Sequence, residues 1–122
     1  MDYQLKVSAS RKFLIAEVNV NMSSRLGNII AGEAVAFGKK KYLKRILYDL
    51  RKVRNKEDVH LKYKFVNSDM PKPGNGYFEK SAILVSPDDA SHNTIVSFMK
   101  SCGFNVMKFE DEQKAVQWLE TQ

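Results

Sequence analysis

Ala82-Ile83-Leu84-Val85, Ser86-Pro87-Asp88-Asp89, then Ile95 through Cys102-Gly103-Phe104, Val106-Met107-Lys108-Phe109, Glu110-Asp111-Glu112 and Ala115-Val116-Gln117-Trp118-Leu119: this C-terminal stretch decides the fold. The first four residues form a short apolar run of the kind that makes a buried strand. Ser86 is a good helix cap, Pro87 suits a first helical position, and Asp88-Asp89 would complement the positive end of a helix dipole. Ile95, Phe98, Met99 and Cys102 then recur at i, i+3, i+4, i+7, and Gly103 is placed to end that helix in the left-handed conformation. Val106 to Phe109 gives a second strand. Three acids open a last helix whose Ala115, Val116 and Leu119 face a sheet, with Trp118 at the edge of the stripe. Strand, helix, strand, helix in succession points to an α/β domain.

Toward the N-terminus the pattern extends. Tyr3, Leu5 and Val7 alternate with polar residues, as do Leu14, Ala16, Val18 and Val20, with Ser8-Ala9-Ser10-Arg11 between them. This predicts an antiparallel, half-buried hairpin. Ser23 or Ser24 caps a helix carrying Leu26, Ile29, Ile30, Ala34 and Phe37, and Lys39-Lys40-Lys41 suits its negative end. Arg45 to Leu50 reads as a central strand, with Asp49 at the end where α/β domains place ligands. For residues 56–67 helical and alternating readings compete. The acidic pair Glu57-Asp58, with Asn55 as cap, favours a helix on which Val59, Tyr63 and Val66 share a face. Met70 to Gly76 is a loop, and its Gly74-Asn75-Gly76 lacks the ending of a phosphate loop. The expected order is β-β-α-β-α-β-α-β-α over residues 1–122. That is one α/β domain with a mixed sheet of about five strands, opened by an N-terminal hairpin and covered by about four helices.

The 122 residues and 43% hydrophobic content suit a single globular core. No apolar run reaches the ~20 residues of a membrane span, the start lacks signal-peptide character, and Cys102 stands alone, so the expected setting is cytoplasmic. The net charge of +6 is uneven: residues 39–64 hold eleven Lys/Arg against three Asp/Glu, whereas residues 105–122 hold two against four. A basic middle attracts an acidic partner or phosphate, or is solvated surface.

Catalysis needs converging groups, and few are in view. His60 and His92 lack partners at metal-ligand spacing, Cys102 sits on an apolar stripe, and helix capping accounts for Asp88-Asp89. Tyr63-Lys64-Phe65 and Lys41-Tyr42 interleave aromatic and basic residues, but no nucleic-acid-binding motif accompanies them. The expectation is therefore no enzyme, no cofactor, no metal and no nucleic-acid partner.

The whole pattern resembles the SpoIIAA-like proteins of the STAS superfamily. The likeness rests on the strand-Asp-Leu-Arg run Ile46 to Arg51, on Ala82 to Val85, on Phe109-Glu110-Asp111, and on Ala115-Val116-Gln117-Trp118-Leu119. Tyr48 to Asn55, Tyr63, Phe65 and Asp69-Met70-Pro71 look like a bacterial subgroup without a settled function. STAS domains include anti-sigma-factor antagonists phosphorylated on a serine or threonine at the start of the helix after the central strand. Here that region reads Arg54-Asn55-Lys56-Glu57-Asp58 and has no hydroxyl, which argues against such a switch.

The resemblance implies a non-enzymatic interaction or regulatory module with another protein as partner. Asp49, Arg51, Lys52, Arg54 and Asn55 are its candidate surface, where the arginines could bind an acidic partner. The alternative is a carrier or sensor of a small apolar or anionic, lipid-like ligand, with peripheral membrane association. Its pocket would lie near Ile29, Ile30 and Phe37, with Lys39, Lys40 and Lys41 at the rim. A hairpin edge strand is also free to pair two copies as a homodimer.

Overall fold

In the computed structural model, residues 2–69 and 76–121 are described. The loop expected from Met70 falls outside them up to Asn75. Five strands form one sheet in the order β1 (Tyr3–Val7), β2 (Leu14–Val18), β3 (Arg45–Asp49), β4 (Lys80–Leu84), β5 (Val106–Phe109). The first pair is antiparallel and the other three pairs are parallel. The helices are α1 (Ser24–Lys41), α2 (Val59–Lys64), α3 (Asn93–Ser101) and α4 (Glu112–Glu120), and a π turn over Phe65–Asp69 continues α2. The mixed sheet, its opening hairpin and the four helices agree with the sequence reading.

The period-two alternation sorts side chains to two faces. Leu14, Ala16, Val18, Ile46, Ile83 and Val106 meet Ile30 and Ala34 of α1 and Val96 of α3. On the opposite face Leu47, Ala82 and Leu84 meet Ala115 and Leu119 of α4. The end of α4 is held by cations from the strands. Arg45 donates to the carbonyls of Leu119 and Thr121, and Lys80 Nζ donates to those of Trp118 and Thr121 at 2.8 and 2.7 Å. Positive charge at a helix C-terminus is stabilising.

Ser23 caps α1, accepting from Leu26 N at 3.1 Å, and Lys39, Lys40 and Lys41 fill its last turn as expected. Gly38 is needed there: a Cβ would stand 2.8 Å from the Leu43 carbonyl oxygen and 2.9 Å from the Tyr77 ring. Gly103 ends the segment after α3 at φ 93, in the left-handed region that favours glycine.

Two helix starts differ from expectation. α3 begins at Asn93, not after Ser86, so Pro87, Asp88 and Asp89 lie in the preceding turns. α2 is capped by Asp58, which accepts from Leu61 N at 2.9 Å, and not by Asn55. The backbone of Asn55 instead bridges to Met22. The shared face expected for Val59, Tyr63 and Val66 is not formed either. Val66 is buried, but Val59 and Tyr63 are 58% and 57% exposed, while Lys62 points inward.

Candidate functional site

Two helices flank the middle of one sheet face without filling it. α1 packs over β1 and β2, and α3 packs over β5. Adjacent strands lie ~4.8 Å apart, so β3 and β4 are left beneath the space between the two helices. α2 and its π turn lie across that space. The result is a cavity of about 120 Å³. Its floor is Tyr48, Ser81 and Ile83, and its walls include Ile30 and Ala31 of α1 and Ile95, Val96 and Met99 of α3. Phe65 closes it from the π turn, and its ring lies 3.0 Å from where a Cβ on Gly27 would stand, so Gly27 lets that ring seat against α1.

The cover is held by polar bonds. Glu57 Oε1 accepts from Ser24 N at 2.8 Å and from Ser24 Oγ at 2.7 Å, joining the approach to α2 to the first turn of α1. On the other side Lys62 Nζ donates to Ser91 O at 3.2 Å. α2 thus turns a lysine inward while Val59, Leu61 and Tyr63 remain exposed at its flanks.

At the C-terminal ends of β3 and β4 two loops interlock beside the cavity. Asp89, only 5% exposed, pairs with Arg54 Nη1 at 3.2 Å and accepts from Ser91 N at 2.8 Å. Burial by itself would raise its pKa. The hydrogen bonds from Ser91, with His92 and Arg54 nearby, outweigh that and hold the carboxyl below the usual carboxylate value. His92 is buried, with Nε2 3.0 Å from Val53 O and 3.6 Å from Asp89 Oδ2. Asn55 donates its backbone N–H to Ser91 Oγ at 3.0 Å, and its Oδ1 accepts from Glu57 N at 3.1 Å.

The basic loop is engaged within the chain. Arg51 binds Asp49 through Nε and Nη2 at 3.0 and 2.8 Å, and Nη2 also reaches Glu112 at 3.0 Å. Burial opposes ionisation of Asp49, but the Arg51 side-chain and backbone bonds prevail and lower its pKa. Arg54 is taken by Asp89, Asn55 is buried, and Lys52 is exposed. Of the residues expected to form a pocket, only Ile30 lines the cavity. Ile29 is 41% exposed, and Phe37 packs on the core farther along α1. Lys39, Lys40 and Lys41 end that helix away from the cavity, Lys39 over the Tyr77 ring and Lys41 over the Phe37 ring.

Ser91 escaped the sequence reading, which weighed Asp89 only as a helix-start acid and His92 only as a metal ligand. One signal was available: an acid after β4 stands beside a basic loop after β3 whenever those strands are neighbours.

A mixed five-stranded sheet with three helices over one face and one over the other defines the class of α/β domain. Comparison with solved structures gives that class a name. An uncharacterised protein of the DUF3478 family from Shewanella loihica PV-4, with a SpoIIAA-like fold, superposes with a TM-score of 0.53, covering 96% of this chain and 91% of that one at 12% identity. The chain therefore has a SpoIIAA-like fold. No protein-family model and no curated protein matches it.

Proposed function

We propose that this protein is a non-enzymatic binding domain that takes up one small, largely apolar molecule between α1, α3 and the sheet. One observation carries the reading: a cavity of about 120 Å³ walled almost wholly by apolar side chains. Protein interiors rarely keep such space, and an apolar cavity of about 150 Å³ is enough to hold benzene. The space here is somewhat smaller but of the same order, so the ligand has at most the bulk of one small ring and is not a long acyl chain, and segment 56–69 is the cover it must pass.

The test is a titration with toluene followed by amide-resolved NMR. Shifts confined to Gly27, Ile83, Val96 and Phe104 are expected, and an unperturbed spectrum up to the solubility of toluene would overturn the reading.

A protein-interaction role remains the second reading. The observation that favours it is the exposure of Val59, Leu61 and Tyr63 on α2, not the arginines of the loop below, which are paired internally. Concentration-dependent sedimentation that disappears in a Leu61→Ser, Tyr63→Ser double variant would support it for self-association.

A further inference from the structure

Three polar groups in the cavity wall have hydrogen-bonding capacity that the fold does not use. The hydroxyl of Tyr48, on the cavity floor, makes no hydrogen bond among the described residues, and burial alone pushes its pKa up to about 12, so it stays a neutral donor. Asn55 is 6% exposed; its Oδ1 is taken by Glu57 N, while its Nδ2 has no partner among the described residues. His92 is 1% exposed, and its Nε2 faces the Val53 carbonyl, which can only accept. Nε2 therefore carries a hydrogen, and Nδ1 has no hydrogen-bond partner among the described residues. Among the described residues every fully enclosed side-chain nitrogen or oxygen is bonded. These unbonded atoms therefore keep an accessible edge, and all three residues line the cavity.

We propose that the cavity selects a small neutral alcohol or phenol, with its apolar body among Ile30, Ile83, Val96 and Val106 and its hydroxyl bound by Tyr48, Asn55 and His92. The proposal rests on the cavity reading above. A hydroxyl matches the groups on offer: its oxygen accepts from the Tyr48 O–H or the Asn55 amide, and its hydrogen is available to an unprotonated His92 Nδ1. The ligand is neutral because, among the described residues, no Lys, Arg, Asp or Glu lines the cavity, and an ion there would lie desolvated without a counter-charge. An apolar molecule lacking the hydroxyl leaves the three groups as they are and gains only burial.

The experiment compares 4-methylphenol, toluene and 4-methylbenzoate by NMR titration of the wild type and of Tyr48→Phe. That variant removes an oxygen that makes no hydrogen bond among the described residues. In the wild type 4-methylphenol should bind about tenfold tighter than toluene, and 4-methylbenzoate should bind more weakly than 4-methylphenol. In Tyr48→Phe the phenol should lose most of that advantage while toluene affinity stays unchanged. Equal wild-type affinity for phenol and toluene, an undiminished ratio in Tyr48→Phe, or tighter binding of the benzoate would each overturn the hydroxyl proposal while the cavity reading stands. If no probe binds, the cavity reading fails and the proposal fails with it.

Discussion

Asp89 is the residue on which the two loops beside the cavity depend. It is buried, it accepts from Ser91 N at 2.8 Å, and its charge answers Arg54 at 3.2 Å. Its pKa in the folded state lies below the ordinary 3.8. The stability it contributes is therefore fully present above about pH 4 and is lost as pH falls through the depressed folded value. Asp89→Asn keeps an acceptor for Ser91 N but removes the charge, so it should cost about 1–2 kcal/mol at neutral pH. The gap between variant and wild type should narrow steadily below about pH 4. Urea unfolding at a series of pH values measures this, and a pH-independent gap would show that Asp89 acts through shape alone. From sequence the same residue looked like a dipole-facing acid at a helix start. A carboxylate three residues after a serine reads identically whether it faces its own helix or a neighbouring loop, and only strand adjacency separates the two.

At the scale of elements, the segment above the cavity is held by its ends. Glu57 supplies the acceptor for the first N–H of α1 through Ser24, so one side chain both caps α1 and ties down the approach to α2. Glu57→Ala should lower stability by about 1 kcal/mol, as loss of a cap does. It should also speed amide exchange in α2 and the π turn more than in α1, whose own cap Ser23 remains. Uniform acceleration across both helices would contradict the tether. These elements also mark the limit of what could be read from sequence. α1, β3, β4, β5 and α4 were legible because burial periodicity, caps and stop residues agree there. α2 was legible as a helix but not in its buried face, because Lys62 interrupts Val59, Leu61 and Tyr63 and takes the inward position. Its alkyl stem can pack while its ammonium reaches Ser91 O, a compromise that no hydrophobic pattern announces. The cavity was half legible. Ile30 belongs to an evident apolar stripe, but which side of that stripe is left unfilled depends on where α3 lands across the sheet.

At the scale of the molecule the two faces of the sheet are unequal. α4 lies over β3 and β4 and fills its face with Phe13, Leu47, Leu84 and Leu119. The other face carries α1 and α3 toward opposite edges with α2 lying across them, and the space enclosed between them is the cavity. Such a defect forfeits dispersion contacts that a filled core would have. Ala31 faces the space from α1, and leucine is nearly as good a helix former as alanine. Ala31→Leu should therefore raise unfolding stability by about 0.5–2 kcal/mol, as cavity-filling substitutions do. The same change should abolish toluene binding, because the added isobutyl group occupies the ligand's volume. Thermal unfolding with and without toluene reads both effects together: the wild type should gain stability from the probe, and the variant should start higher and gain nothing. A variant that is less stable than the wild type, or that still responds to toluene, would mean that the helices already close over this space and that the cavity is not a preformed site.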